Sequence, residues 1–158
     1  EFRRVLFRSE VVVTLCKKFE GFRANPYICP AGYPTIGYGT VYKPNKEKVT
    51  MDHSPVTEEE ASKWLLDELK NNYMVGVLKA SPILYNHPYK LAAITDFAYN
   101  LGVARYRAST LKKRVDAEDW EEAKTELLKW VYGGGKKLKG LVLRREAESE
   151  LFSVVIAK

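Results

Sequence analysis

The sequence predicts a mostly helical α+β fold in two lobes, with a small lobe of short β-hairpins and a helical lobe joined by a long helix. Three observations predict this arrangement. Apolar residues recur at helical spacing near the start of the chain. A segment rich in Tyr, Pro and Gly occupies residues 23–56. Helical patterns with capping residues then continue from residue 57 to the end of the chain.

The first helix is predicted from a run of apolar residues on one helical face: Val12, Leu15, Cys16, Phe19 and Phe22. Gly21 predicts the end of this helix. The preceding residues, "EFRRVLFRS", show no periodicity and no initiating Met, which predicts a non-native leader. We therefore expect residues 1–9 to lie outside the fold and residues 10–158 to form a single domain.

Residues 23–56 combine β-forming residues with turn residues, as in "PTIGYGTVY". This mixture predicts short hairpins with tight turns rather than a large sheet. Thr57 and Glu60 then form a capping-box pattern, which predicts the start of the long helix that links the lobes. We expect the helical lobe to contain about residues 57–158 together with the N-terminal helix.

Proline, glycine and capping residues also predict the boundaries of the later helices. Pro88 stands at a first-turn position and Gly102 at a helix end, which bounds one helix. Asp119 is predicted to cap another helix, and the glycines at 133–135 are predicted to end it. The segment "GLVLRREAESELFSVV" supplies the last helix.

Composition limits the function only broadly. The formal charge is +6, which suits a polyanionic partner such as nucleic acid, an anionic membrane or a bacterial cell wall. No apolar run approaches the roughly 20 residues that span a bilayer. Two cysteines, Cys16 and Cys29, do not form a disulfide framework, and their number leaves open whether they pair.

Several kinds of chemistry have no support in the sequence. His53 and His87 lack metal-ligand spacing with cysteines, so we expect no zinc site and no metal. The glycine-rich stretches "GYGTVY" and "GGGKK" lack the strand and helix context of a phosphate-binding loop. No Gly-x-Ser-x-Gly nucleophile elbow occurs. The predicted chemistry therefore needs no cofactor.

Glu20 is the candidate that remains. It lies at the C-terminal end of its helix, where the macrodipole disfavours negative charge, and Phe19 and Phe22 limit its hydration. Both effects favour a protonated carboxyl, which is able to act as a general acid. The alternative is a solvated residue at a helix end.

The spacing around this residue resembles a known catalytic signature. Eight residues separate Glu20 from Cys29 and five more separate Cys29 from Thr35, within "FEG…PTIGYGT". This pattern is similar to that of the phage-type lysozymes, glycoside hydrolase family 24. Segments such as "VTEEEASKWLLDEL" and "DFAYNLGVARYRASTL" resemble the family's helical lobe in the same order, so the resemblance covers about residues 10–153.

The resemblance implies hydrolysis of the β-1,4 bond between N-acetylmuramic acid and N-acetylglucosamine in peptidoglycan. Glu20 would protonate the glycosidic oxygen, and Cys29 and Thr35 would organise attack from the opposite face. Cys29 departs from the Asp usual at its position, and an ordinary thiol is mostly protonated at neutral pH. It would act through a lowered pKa, through a minor thiolate fraction or as a direct nucleophile. The alternative is an inert hydrophobe in an inactive enzyme.

The substrate-binding candidates are Tyr38, Val41, Tyr99, Asn100 and Thr110. Val41 and Thr110 match family positions. Tyr99 and Asn100 are expected to face the cleft from the helical lobe, whereas Tyr38 either lines the cleft or packs in the core. At least one arginine of "LVLRREAE" is expected to be a structural ion-pair partner.

We expect a monomeric endolysin, made in the cytoplasm of a host bacterium, that acts on the periplasmic cell wall after release or export. The expected partner is peptidoglycan, not nucleic acid. Two other functions remain open. A lytic transglycosylase would cut the same bond and give a product lighter by one water, and a non-catalytic basic module would bind wall polymer without lysis.

Overall fold

The computed structural model describes the backbone of residues 2–155 and the side chains of residues 9–155. Helix α1 comprises Phe2–Glu20. It therefore begins before the periodic pattern, and residues 2–9, predicted to lie outside the fold, have helical backbone. Gly21 ends the helix as predicted, because it takes a φ of +72° and its N–H donates to the Lys17 carbonyl at 3.2 Å.

The small lobe contains the predicted hairpin. Strands β1 (Arg23–Ile28) and β2 (Pro34–Gly37) pair antiparallel, with Tyr27 opposite Thr35 and an irregular register between Arg23 and Tyr27. Two isolated bridges, one from Ile36 to Thr40 and one from Tyr42 to Lys48, extend the turn-rich structure beyond β2. The described part of this lobe is therefore a set of tight turns around one short sheet.

A continuous helix joins the lobes, and its middle is wider than a regular α-helix. It consists of α2 (Glu58–Glu68), a π-helical segment (Leu69–Met74) and α3 (Val75–Ala80). The predicted cap is present, because the Thr57 hydroxyl accepts a hydrogen bond from the Glu60 N–H at 3.1 Å. The π-helical segment is not predicted by the sequence pattern, and such segments are frequent at functional sites.

The rest of the helical lobe is mostly helical, as predicted. Its elements are a 3₁₀ turn (Pro82–Asn86), α4 (Pro88–Leu101), α5 (Val103–Arg107), α6 (Thr110–Asp116), α7 (Trp120–Leu127), the hairpin of β3 (Tyr132–Gly133) and β4 (Lys136–Lys137), and α8 (Lys139–Phe152). The helix after Asp119 ends at Leu127, however, so the prediction that the glycines at 133–135 end it is wrong, and these glycines instead lie in a short hairpin that the sequence did not predict.

The predicted cap at Asp119 is wrong in one respect. Asp119 stands at the N-cap position, but its side chain makes no capping hydrogen bond. Its carboxylate instead lies 4.0 Å from the Arg114 guanidinium.

Helix α4 forms the centre of the core. Residues 91–98 are all buried, and the helix packs against α1, α8 and the linking helix. A helix surrounded on all sides loses the polar face of a surface helix. This packing carries Tyr99 and Asn100, at the end of α4, to the junction between the lobes. No helix among the described residues has the length and apolar character needed to cross a membrane.

The lobes approach each other closely at Gly37. This residue has a φ of +68°, and a Cβ added there would lie 2.9 Å from the Ala61 Cβ of the linking helix. Gly37→Ala should therefore lower the free energy of unfolding by about 2–3 kcal/mol, since backbone strain and a steric clash add. Urea unfolding measures this loss.

Gly32→Ala is the matched control. Gly32 also has a positive φ, of +90°, but a Cβ there would meet nothing within 4 Å. Gly32→Ala should therefore lower the free energy of unfolding by only about 1 kcal/mol, the cost of the strained backbone. Equal losses in the two variants would show that the contact with the linking helix relaxes without cost.

Candidate active site

A pocket of about 470 Å³ lies where α1, the small lobe, the linking helix and α4 meet. This size falls within the range of ordinary ligand sites. Acidic, aromatic and small residues from both lobes line it: Glu20, Tyr33, Gly39, Val41, Tyr42, Glu68, Tyr73, Tyr99 and Asn100. We call this pocket the cleft.

Glu20 is fixed at one wall of the cleft. Its Oε2 accepts a hydrogen bond from Arg144 Nη1 at 2.6 Å. Its other oxygen, Oε1, faces Gly39, where an added Cβ would lie only 3.0 Å from Oε1 and 3.3 Å from the Tyr99 hydroxyl. A glycine at this position therefore leaves room for the carboxyl group. The sequence shows Glu20 at a helix end near two phenylalanines, but it does not reveal the contact with Arg144.

Arg144 connects three helices through one buried guanidinium. Its Nε and Nη2 donate to the two carboxylate oxygens of Asp96 at 2.9 and 2.8 Å. Its Nη2 also lies 3.7 Å from the Cys16 sulfur. Burial is the largest influence and opposes the charge of Arg144, but the hydrogen bonds to Asp96 and the charges of Asp96 and Glu20 together outweigh it and raise the pKa of the guanidinium. The expected structural ion pair at "LVLRREAE" is confirmed.

A second buried arginine continues this network. Arg145 Nη2 donates to Glu148 Oε2 at 2.8 Å and to Asn100 Oδ1 at 2.9 Å. Burial, together with a hydrogen bond to Asp96, raises the pKa of Glu148 well above its usual value. Arg145 Nε also lies 2.7 Å from Glu148 Oε1, so the two arginines together contact three carboxyl groups, those of Glu20, Asp96 and Glu148.

Both cysteines are free thiols. Cys16 is buried, and burial raises the pKa of its thiol far above the usual value. Cys29 is partly exposed in the turn after β1, where the opposite occurs. Hydrogen bonds from the Tyr33 backbone and then from the Thr35 hydroxyl lower the pKa of the Cys29 thiol. The lowered pKa favours the thiolate form of Cys29. A lowered pKa is one of the three ways in which the sequence predicts that Cys29 could act. The disulfide left open by the sequence is not formed.

Thr35 is buried on β2, and its hydroxyl donates to the Tyr33 carbonyl at 2.9 Å. A hydroxyl has one proton, so this hydrogen bond and one to Cys29 are alternatives. Rotation of the hydroxyl exchanges the two. Thr35 is therefore placed to respond to the charge on the neighbouring sulfur.

The phenol of Tyr27 is influenced by the charges of both Cys29 and Glu20. Burial raises the pKa of the Tyr27 phenol, and the charges of Glu20 and Cys29 both add to this increase. The sequence argument did not select Tyr27, although it stands opposite Thr35 across the sheet.

The structure brings some of the predicted substrate-binding residues together. Val41, Tyr99 and Asn100 line the cleft. Tyr38 instead packs in the core, where its hydroxyl donates to Glu58 Oε2 at 2.6 Å. Thr110 is exposed at the first position of α6 and is not among the lining residues.

Sequence reasoning missed several residues of the cleft. Tyr33 and Tyr42 lie in the turn-rich lobe, where tyrosines are frequent and periodicity gives no direction. Tyr73 lies in the π-helical segment, and Glu68 comes just before it. Glu68 resembles any acidic residue of a surface helix in sequence. Burial in the fold distinguishes Glu68 from exposed acidic residues. Burial raises the pKa of Glu68 to about 7, and the charges of Asp67 and Glu20 add to this increase.

This shift predicts a pH-dependent stability. The pKa of Glu68 is higher in the folded state, about 7, than the ordinary value of 4.5. Its stabilising contribution is therefore complete below about pH 4.5 and is lost as the pH rises through 7. Relative to Glu68→Gln, which does not titrate, the parent should lose about 2 kcal/mol between pH 5 and 8. Urea unfolding at several pH values measures the difference, and a constant difference would contradict the prediction.

The chain matches the family model described as phage lysozyme over residues 17–148. An endolysin of Bacillus phage B103 is 35% identical over 146 residues, which cover 91% of this chain and 53% of that protein. The chain therefore spans about half the length of that relative. An endolysin of Acyrthosiphon pisum secondary endosymbiont phage 1 is 32% identical over 149 residues, which cover 91% of this chain and 96% of that protein.

The fold agrees with these matches. The solved structure of the endolysin from Escherichia coli O157:H7 phage FAHEc1 superposes with a TM-score of 0.77 at 28% identity, and the match covers 94% of each chain. The match over residues 17–148 includes Glu20, Cys29, Thr35 and the buried Arg144. The chain therefore belongs to the phage lysozyme family of glycoside hydrolases.

Proposed function

We propose that this chain is an endolysin that hydrolyses the β-1,4 bond between N-acetylmuramic acid and N-acetylglucosamine in peptidoglycan, with Glu20 as the general acid. One observation carries the assignment of Glu20. Its Oε2 is held by a buried arginine at 2.6 Å, while Oε1 faces Gly39 in a cleft lined from both lobes. A catalytic acid needs a fixed direction towards its substrate, and this arrangement supplies it.

The ion pair with Arg144 is compatible with proton transfer. When Oε1 carries the proton, Oε2 still accepts the hydrogen bond from Arg144, so protonation does not release the carboxyl. Donation of that proton to the glycosidic oxygen leaves a carboxylate beside the guanidinium. The ion pair therefore stabilises the product state of the acid step.

Cys29 supplies the group opposite Glu20 in this proposal. The hydrogen bonds that lower the pKa of its thiol favour the anion that an Asp would provide. The thiolate either activates a water molecule, which inverts the anomeric configuration, or attacks the sugar directly, which retains it. Thr35 positions the sulfur or the water. The anomeric configuration of the first product distinguishes the two routes.

Val41, Tyr99 and Asn100, which line the cleft, contact the sugar chain in this proposal, whereas Tyr38 and Thr110 do not. The formal charge of +6 suits the anionic bacterial wall. The enzyme works as a monomer, is made in the host cytoplasm and reaches the periplasmic wall on release or export. Residues 10–158 form the lysozyme domain in this proposal.

Glu20→Gln should abolish lysis while leaving the fold intact. The amide keeps the shape of the carboxyl but cannot deliver a proton, a step worth about a hundred- to ten-thousandfold in rate. The decrease in turbidity of Gram-negative cells stripped of their outer membrane measures lysis, and mass analysis of the fragments identifies hydrolysis. Glu10→Gln is the control, since Glu10 is exposed on the same helix. Substantial lysis by folded Glu20→Gln protein would overturn the assignment.

Cys29→Asp should retain lysis, whereas Cys29→Ser should lose most of it. Serine is close in size to cysteine but does not ionise near neutral pH, so the pair separates charge from packing. Alkylation should inactivate the parent through Cys29, because Cys16 is buried and its thiol has a strongly raised pKa. Full activity of Cys29→Ser would show that the sulfur is a spectator.

A further inference from the structure

Glu68 occupies the cleft but has no role in the mechanism above. It is the last residue of α2 and lines the same pocket as Glu20. Its Oε2 is buried and has no hydrogen-bond partner. Folded proteins rarely leave a buried carboxyl oxygen unsatisfied, because the loss of hydration is costly. An unsatisfied carboxyl oxygen beside a binding cleft therefore indicates a hydrogen-bond partner that lies outside the chain.

The geometry of the linking helix places Glu68 on the wall of the cleft. In a regular α-helix, residues five apart point in directions about 140° apart. The π-helical segment Leu69–Met74 has i→i+5 hydrogen bonding, which brings residues five apart towards the same face. Glu68 and Tyr73 are five apart, and both line the cleft. The local widening of the helix therefore places a carboxyl and a phenol together on the cleft wall.

Glu68 is not a structural ion-pair residue. No salt bridge among residues 9–155 includes it. The titratable groups that act on it or respond to its charge are acids and phenols, namely Asp67 beside it, Glu20 on α1, Tyr73 in the π-helical segment and Tyr99 on α4. These groups oppose the ionisation of Glu68, so the fold does not retain this carboxyl for electrostatic stability.

We propose that Glu68 is a substrate-binding residue, and that its carboxyl group turns towards the cleft to hydrogen-bond a hydroxyl or acetamido group of the glycan strand beside Glu20. This inference rests on the proposed function and adds a contact to it. A neutral carboxyl supplies one donor and an acceptor, which matches both sugar groups. The burial that raises the pKa of Glu68 to about 7 keeps this form populated up to neutral pH. The phenols of Tyr73 and Tyr99 bound the same space with apolar ring surface.

The proposal predicts opposite effects on stability and on binding. Glu68→Leu removes a buried polar atom without a partner, so it should raise the melting temperature. The same change should weaken glycan binding about tenfold, because the hydrogen bond to the sugar is lost. Glu68→Gln keeps a donor and an acceptor and should bind within about threefold of the parent. A purely structural residue would change stability and binding in the same direction.

Binding is measured in the Glu20→Gln background, so that the glycan is not cleaved. The probe is a tetrasaccharide of alternating N-acetylglucosamine and N-acetylmuramic acid, titrated by calorimetry. Glu59→Gln is the matched control, because Glu59 is an exposed carboxyl on the same helix and does not line the cleft. In the active background, Glu68→Leu should raise KM and change kcat less.

Two results would overturn the proposal. The first is Glu68→Leu protein that binds the tetrasaccharide as tightly as the parent. The second is a loss of binding accompanied by a loss of stability, which would assign Glu68 to the fold. Failure of the proposed function is a separate result, namely absence of lysis by the parent enzyme, and it leaves the calorimetric comparison readable. Absence of tetrasaccharide binding by the parent would overturn both.

Discussion

One buried guanidinium organises the catalytic side of this molecule. Arg144 on α8 bonds Asp96 on α4 and Glu20 at the end of α1, so three helices meet at a single planar group. Removal of Asp96, which is fully buried, would leave the guanidinium without its main partner, a defect that commonly costs about 3–5 kcal/mol. The network thus couples the packing of the helical lobe to the direction of one carboxyl group. The position of Glu20 is a property of the core and not only of its own helix.

Close contacts between the lobes complete the cleft. The Tyr99 hydroxyl, at the end of α4, donates to the Tyr38 carbonyl of the small lobe at 2.8 Å. The Tyr38 side chain in turn bonds Glu58 at the start of the linking helix. Glycines at positions 37 and 39 allow these approaches, because a side chain at either would meet Ala61 or Glu20. A small sheet with little core of its own is thereby held in one orientation over the helical lobe.

The cleft contains carboxyl groups in different environments. Glu20 is paired with a cation, whereas Glu68 is half-buried near acids and phenols. Paired carboxyls with unlike surroundings commonly divide roles in glycoside hydrolases. In our proposal the second group of the reaction is Cys29, whose hydrogen bonds favour the thiolate. Glu68 would then recognise the sugar chain, and the π-helical segment would serve to place it in the cleft.

The sequence by itself determined the order and type of most helices and of the first hairpin, since capping residues, glycines and apolar spacing act locally. It did not predict the π-helical segment or the hairpin near residue 134. It placed Glu20 at a helix end, Thr57 at a cap and the turn-rich lobe between them. It could not determine the ion pair of Glu20 with Arg144, because 124 residues separate the two and periodicity does not say which helices meet. Nor could it distinguish Glu68 from an exposed acid, because burial arises only when α2 packs beside α1 and α4. Contacts between distant residues decide the chemistry of this cleft, and only the tertiary structure fixes them.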